Sequence, residues 1–230
     1  MKIATWNVNS LKMRLPHVLE WLKLSETDIL CLQELKMTDD VFPIEALKNE
    51  GYGAVWSGQK TYNGVAILYR KDKLSEPKDI QKNIPSFPDE QKRLIAATFQ
   101  TGSESLRIVC GYFPNGSEVG SEKYAYKLAW LEALREWLKS ELQKSPNLAL
   151  LGDFNIAPDD RDVWDPKGWE GNILVSPQER QAFQNLRIDL ILVSEALKNH
   201  IQAVDIDKAP RKWTKPSDHT PYWISFQEKN

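Results

Sequence analysis

Short apolar runs rich in β-branched and aromatic residues recur along the chain, separated by polar turns. Runs of about four to eight such residues are typical of β-strands. The predicted strands are KIATWNV, DILCLQE, YGAVWSG, GVAILYR, LIAATFQ, LRIVCGY, LALLGDFN, RIDLILVS, QAVDID and YWISF. Helical spacing appears in LPHVLEWLKL and in the stretch from about Glu118 to Gln143. Because helices separate only some strands, the pattern predicts a layered α/β fold with two mostly antiparallel sheets and outer helices.

A third helix is predicted at SPQER, where the chain carries a helix-start signature. Ser176 is a capping residue, Pro177 occupies the first helical position and Glu179 completes a capping box. This helix must end by about Asn185, yet the strand RIDLILVS already begins at Arg187. Helix-to-strand connections usually need a few residues, so the junction is abnormally short.

The composition fits one globular domain, because 230 residues with 41% hydrophobic and 27% charged side chains suffice for a single core. We expect one domain over 1–230, acting as a monomer. No apolar run is long enough to span a bilayer, and MKIATWNV is typical of a strand, not of a secretion signal. Cys31 and Cys110 lie in strand-like runs, which predicts buried free thiols in a reducing, cytoplasmic compartment without membrane contact.

The formal net charge of −2 does not show the excess of basic residues that is typical of a protein that binds nucleic acid through charge alone. Charge alone argues mildly against DNA as a partner. A cation bound by clustered acids would offset part of the negative charge and leave Lys and Arg to meet phosphates. Net charge therefore does not decide the substrate.

Polar residues follow the apolar strands at positions from which a sheet could present them to a common rim. They are Asn7, Glu34, Tyr112, Asp153, Asn155, Asp189 and the pair Asp218-His219. At the mouth of a buried strand a carboxylate such as Glu34 is costly unless it is paired or binds a cation; the alternative is an acid facing water. On an extended chain Asp153 and Asn155 would share a face, where an acid can activate water beside an amide; the alternative is an Asx turn.

The loop KPSDHTP supplies a histidine, the side chain suited to proton transfer near neutral pH. Since neighbours on an extended chain point opposite ways, Asp189 is the predicted partner of the His219 ring, and Asp218 is left to face a metal. A solvated turn is the alternative. The preceding basic segment could contact phosphates, or could be a solvated charge run; its candidates are Arg211, Lys212, Trp213 and Lys215.

The motifs WNVNS, LQELK, GYFPNG, LLGDFN, RIDLILVS and KPSDHTP, in this order, resemble the exonuclease III family of apurinic/apyrimidinic endonucleases. The resemblance runs from Met1 to Phe226. It implies a four-layered α/β sandwich that depends on Mg²⁺ or Mn²⁺. It also implies cleavage of double-stranded DNA 5′ to an abasic site, often with 3′-to-5′ exonuclease and 3′-phosphatase activity.

The resemblance also assigns roles by motif position. Glu34 would bind the metal, with Asn7 and Asp218 in or near its shell. The implied catalytic residues are Tyr112, Asp153, Asn155, Asp189 and His219. Asp153 would orient or activate water with help from Asn155, His219 would contact the scissile phosphate, and Tyr112 would support the phosphate or the leaving oxygen. The identity of the general base stays open.

One departure from the family lies at the short junction after Asn185. Family members usually carry a few tens of residues there, including an F-S-W motif and a basic loop that line the pocket for the flipped-out sugar. Here only Leu186 and Ile188 resemble the pocket wall, and Asn115 is a further candidate DNA contact. Natural loss, an engineered deletion and the omission of disordered residues remain alternatives, with the abrupt junction favouring recent removal. The departure predicts weakened abasic-site selectivity.

Two other functions stay open at this stage. One keeps the chemistry but acts on a different substrate, for instance a phosphoinositide. The other is a DNA-binding or protein-binding module that has lost catalysis. Retention of Glu34, Asp153, Asp189 and His219 argues against a pure binding module, which needs none of these side chains.

Overall fold

The computed structural model describes residues 1–185 and 192–227. Its strands are β1 (Lys2–Asn7), β2 (Ile29–Gln33), β3 (Tyr52–Ser57), β4 (Val65–Arg70), β5 (Lys78–Lys82), β6 (Leu94–Thr101), β7 (Glu104–Tyr112), β8 (Leu148–Asp153), β9 (Leu192–Val193), β10 (Ile201–Ile206) and β11 (Tyr222–Phe226). Its α-helices are α1 (Leu11–Ser25), α2 (Ile44–Asn49), α3 (Glu122–Lys144), α4 (Pro166–Trp169), α5 (Pro177–Asn185) and α6 (Glu195–Lys198).

The strands form two sheets. One has the order β10-β11-β1-β2-β4-β3 and the other the order β5-β6-β7-β8-β9. Neighbouring strands pair antiparallel except β1 with β2 and β7 with β8, which pair parallel near the middle of each sheet. The predicted mostly antiparallel arrangement is confirmed.

Three apolar cores stack the elements into four layers. The inner core joins the facing sheets, for example through Ile29 and Ile67 of one sheet and Ile108 of the other. A second core packs α1 on the outer face of the first sheet, and a third packs α3 on the outer face of the second. This order of helix, sheet, sheet and helix confirms the predicted sandwich, and alternating side chains explain how each strand serves two cores.

Some elements differ from the prediction. The strand β5 and the helices α2, α4 and α6 were not predicted, because each is short or polar and depends on tertiary contacts. The long helix begins at Glu122 instead of about Glu118, since the Ser121 hydroxyl accepts from the Tyr124 N–H at 3.2 Å and caps it there. At α5 the predicted capping box is confirmed, with mutual hydrogen bonds between Ser176 and Glu179.

The helix α5 ends at Asn185, as predicted, and β9 is the described part of RIDLILVS. The predicted site residues Leu186, Ile188 and Asp189 lie outside the described residues. Cys31 and Cys110 are free and fully buried, as expected. No helix in the described part of the chain is both long and apolar enough to cross a membrane.

The parallel pairing of β7 with β8 depends on Gly152. A Cβ atom built on Gly152 would lie 1.9 Å from the backbone oxygen of Gly111, and neither backbone can move without opening the ladder. We expect Gly152→Ala to lower the free energy of unfolding by about 3 kcal/mol or more, measured by urea denaturation. The control is Gly102→Ala, in open space at φ +63°, where only about 1 kcal/mol of backbone strain is expected. Equal losses in both variants would contradict this account.

Candidate active site

The predicted site residues gather where the two parallel strand pairs end. Asn7 is the last residue of β1, and Glu34 directly follows the neighbouring β2. In the other sheet Tyr112 and Asp153 end β7 and β8 and are register partners. Because parallel neighbours end at the same sheet edge, each sheet delivers two polar side chains to one rim.

Asn7 joins the two sheets at this rim. Its Nδ2 donates to Glu34 Oε1 at 2.7 Å and to Asp153 Oδ2 at 2.8 Å. Both carboxylates are largely buried, with side-chain exposures of 16% for Glu34 and 14% for Asp153. One amide thus holds two acids from different sheets close together, which is costly unless other groups neutralise them.

The surroundings of Glu34 favour its charged form. Burial acts to raise the pKa of Glu34, but hydrogen bonds from Asn7, Lys36 and Tyr112 outweigh it, so the net pKa is lowered. The Lys36 ammonium lies 2.9 Å from Glu34 Oε2. Burial and the adjacent Glu34 charge raise the pKa of Tyr112, which therefore remains a neutral hydroxyl donor near neutral pH.

The loop that carries Asp218 and His219 is fastened to β1. The Ser217 hydroxyl donates to the Asn7 backbone oxygen at 2.7 Å, and the Trp6 indole donates to the His219 backbone oxygen at 3.2 Å. His219 Nε2 consequently lies 3.7 Å from Asp153 Oδ2, and its side chain is 42% exposed. An acid and a histidine therefore face a space open to substrate.

Asp218 points to a different partner from its neighbour. Its Oδ1 accepts from Asn9 Nδ2 at 3.0 Å. Burial acts to raise the pKa of Asp218, but the adjacent His219 and the Asn9 hydrogen bond outweigh burial and lower it. Its predicted place in the metal shell stays a prediction. The predicted support of the His219 ring by Asp189 falls outside the described residues.

The expectation that Asp153 and Asn155 share a face of an extended chain is wrong. The strand β8 ends at Asp153, and Asn155 adopts φ +47°, in the left-handed region. The Asn155 N–H donates to Asp153 Oδ1 at 3.1 Å, which is the Asx turn that was the alternative. The Asn155 side chain instead donates to Phe113 O at 3.0 Å and accepts from Asn115 Nδ2 at 3.2 Å. The turn nevertheless orients the Asp153 carboxylate.

The oxygen atoms of the side chains at this rim suit a hard divalent cation that takes only a few of its ligands from the protein. Within residues 1–185 and 192–227, no three His, Cys, Asp or Glu side chains form a metal-binding group. Mg²⁺ is usually held by one or two carboxylates, with water and substrate phosphate supplying the other oxygens. Glu34 meets that requirement. Asn7 turns its Oδ1 to the Asn9 N–H at 2.9 Å, so in this orientation it positions Glu34 by donating to it.

The predicted DNA-contacting segment divides into packed and exposed residues. The Trp213 ring packs on the His17 ring with centroids 5.2 Å apart and borders the core beneath α1. The Arg211 guanidinium donates to the Ser217 backbone oxygen and holds the histidine loop. These contacts give Trp213 and Arg211 structural partners, although Arg211 is itself exposed to solvent, as are Lys212 and Lys215.

Sequence reasoning missed several polar residues at the site. Arg93 places its guanidinium 5.2 Å from the Tyr112 ring centroid and donates to the Tyr112 backbone oxygen. Lys36 stands in the quoted motif LQELK, two positions after Glu34, and could have been identified there. Lys127 occupies a core position in the apolar stripe of α3, which is itself an unusual signal.

Comparison with known proteins gives a consistent result. Residues 4–219 match the model of the endonuclease/exonuclease/phosphatase family. Exodeoxyribonuclease III of Haemophilus influenzae is 33% identical over 272 aligned positions, which cover 99% of this chain and all of that protein. Because 272 positions exceed the 230 residues of this chain, the alignment must contain gaps opposite it. This agrees with the predicted departure from the usual length of the family.

Two solved structures are also similar over nearly the whole chain. The 3′ phosphatase NExo from Neisseria, bound to a product DNA hairpin, has 40% identity and a TM-score of 0.91. An AP endonuclease from Archaeoglobus fulgidus has 31% identity and a TM-score of 0.88. Each comparison covers 99% of this chain and all of the other.

Proposed function

Because this chain belongs to the endonuclease/exonuclease/phosphatase family and is an exonuclease III-type DNA repair nuclease, we propose that it hydrolyses phosphate esters at 3′ ends of double-stranded DNA. The exonuclease III family depends on divalent metal, and we propose Mg²⁺, or Mn²⁺, for this chain. We also propose that it acts as a monomer.

One observation carries the proposed chemistry: a single Asn7 amide holds Glu34 and Asp153 together beside His219. A bound cation supplies charge neutralisation at the phosphate and a more acidic water. Glu34 would hold that cation. Asp153, fixed by Asn7 and by the Asn155 N–H, orients the attacking water and accepts its proton.

The remaining side chains serve the phosphate. His219 donates a hydrogen bond to a phosphate oxygen from its exposed position. Tyr112 is neutral and partly buried, and its one hydroxyl hydrogen turns from Glu34 to the phosphate or to the leaving oxygen when substrate binds. Asn155 and Asn115 present amides at the adjoining loops, where they limit the movement of the phosphate.

The 3′-end preference rests on the short junction between α5 and β9. In the sequence, the strand-like run RIDLILVS begins at Arg187, two residues after the last residue of α5, Asn185. Extruding an internal nucleotide costs a few kcal/mol, which an enzyme recovers through pocket contacts and inserted side chains. A terminal phosphate requires no extrusion. The likeness to a Neisseria 3′ phosphatase supports the same preference.

Incision at abasic sites is the second candidate, favoured by the likeness to the Archaeoglobus fulgidus AP endonuclease. The two activities can be separated with three labelled duplexes: a nicked one with a 3′-phosphate, one with an internal abasic analogue, and an undamaged one. Each is incubated with Mg²⁺, with Mn²⁺ and with a chelator.

We expect metal-dependent phosphate release to exceed abasic incision by about 10-fold to 100-fold, the factor that an uncompensated extrusion cost predicts. Incision at the lesion as fast as phosphate release would overturn the 3′-end preference. Undiminished activity in the chelator would overturn the metal requirement. Absence of turnover on all three duplexes would overturn the proposed function.

A further inference from the structure

One lysine lies on the buried face of α3, where core residues are expected. Lys127 is fully buried within the stripe formed by Tyr124, Leu131, Leu134 and Leu138. A buried ammonium is expensive unless it is paired and fully hydrogen-bonded. Burial lowers the pKa of Lys127, and the adjacent Glu179 opposes that shift. Its partners therefore indicate what this charge is for.

Lys127 contacts the candidate site from behind. Its Nζ donates to the backbone oxygens of Asn115 at 3.1 Å and Asn155 at 2.7 Å, and to the carboxylate of Glu179. An ammonium has three N–H donors, so all of them are used. The two backbone oxygens belong to the loops that follow β7 and β8. One side chain thus ties together the loops that leave both strands of the parallel pair.

Glu179 reaches the same loop by a second route. It is fully buried and accepts from the backbone N–H groups of Leu174 and Ser176, each at 3.2 Å. The Leu174 backbone oxygen in turn accepts from the Ala157 N–H at 2.8 Å, two residues beyond Asn155. The ion pair therefore clamps the loop after β8 both directly and through the segment before α5.

The loop after β8 needs such an anchor because its backbone enters the left-handed region at Asn155. Asn155 has φ +47°, which costs free energy for a residue with a Cβ atom and persists only where surrounding contacts enforce it. Its N–H must stay in place to hold Asp153 Oδ1 at 3.1 Å. Any relaxation of Asn155 would therefore move the Asp153 carboxylate.

We propose that Lys127, paired with Glu179, is a positioning residue for the hydrolytic reaction. It fixes Asn115 and Asn155 through their backbone oxygens and, through Asn155, the carboxylate of Asp153. This role rests on the proposed function. The competing view is that the pair only stabilises the junction of α3 with α5.

The test compares two ion pairs that join α3 to the rest of the protein. In the test variant Lys127→Met is combined with Glu179→Gln, so that no unpaired charge is left buried. The matched control combines Arg107→Met with Glu141→Gln. That pair links the start of β7 to the end of α3 at 2.9 Å, with side chains only 5% and 9% exposed, at the strand end away from the site.

We expect kcat for 3′-phosphate release by the test variant to fall about 100-fold, the effect of a misplacement near 1 Å, with KM nearly unchanged. The control should lose comparable thermal stability but keep its kcat. All assays are run below the unfolding transition of each variant. If the test variant does not fold, Lys127→Gln combined with Glu179→Gln is compared with the control instead. The glutamine side chain at position 127 is too short to reach both loops.

A double-mutant cycle with Asp153→Asn separates positioning from general weakening. If Lys127 acts by positioning the Asp153 carboxylate, the loss caused by the Lys127/Glu179 change should largely disappear in the Asp153→Asn background. Three outcomes would overturn the positioning role: losses that multiply in the double-mutant cycle, equal losses of kcat in both ion-pair variants, or an unchanged kcat in the test variant. None of them would affect the proposed function as long as the wild-type protein turns over. An inactive wild type would overturn both.

Discussion

Asp153→Asn is expected to lower kcat for metal-dependent phosphate release by about 1,000-fold, within the range lost with a general base. Asp153 accepts from Asn7 and from the Asn155 N–H, and it faces His219. An asparagine can keep the Asx turn through its oxygen, but it cannot accept a proton from water. Fold stability should therefore change little, which circular dichroism during thermal unfolding would check.

The matched control for this variant is Asp72→Asn, which makes the same chemical change at a carboxylate that is 61% exposed in a pair with Arg70. That residue follows β4 at the sheet end away from the site, and its variant should keep wild-type kcat. A wild-type rate for Asp153→Asn would refute its assigned role. A collapse of stability in Asp153→Asn would instead make its contacts structural.

His219→Ala is expected to lower kcat by about 100-fold to 1,000-fold, the range for removal of one donor to a developing charge. The side chain is 42% exposed, so its loss should leave the fold nearly unaffected. His200→Ala is the control, because it removes the same side chain from the turn before β10. An unchanged rate for His219→Ala would exclude the histidine from the reaction.

Combining Asp153→Asn with His219→Ala tests whether the two side chains serve one step. Groups that act as a unit give losses far smaller than the product of the single losses. Their separation of 3.7 Å predicts such non-additivity. Fully multiplicative losses would mean that each acts independently on the phosphate.

The strands and layers were predictable because alternation of apolar and polar positions is a local property. In KIATWNV and DILCLQE the pattern alone locates the strand ends to within one residue, and thus Asn7 and Glu34. Short helices such as α2 and α6 were not predictable, because their stability comes from packing and not from their own few residues. The capping box at Ser176 was predictable, since its geometry is contained within one turn.

The gathering of Asn7, Glu34, Tyr112, Asp153 and His219 at one rim was predictable, but the contacts between them were not. Nothing local connects Asn7 with Asp153, which are 146 residues apart and meet only because the sheets face one another. The conformation of Asn155 was predicted wrongly because extended geometry was continued past the end of β8. Lys127 was overlooked because helical spacing predicts that its position is buried, but not that the backbone oxygens of Asn115 and Asn155 lie close enough to bind its ammonium.

The pairing of β11 with β1 has a consequence for the timing of activity during protein synthesis. The strand β1 can pair with β11 only after β11 has been synthesised. His219 lies in the loop just before β11, and its backbone oxygen accepts a hydrogen bond from Trp6 in β1. A nascent chain whose last strand is still inside the ribosome thus carries Asn7 and Glu34 without the histidine that faces Asp153. With the proposed roles, DNA cleavage therefore begins only after β11 has left the ribosome and paired with β1.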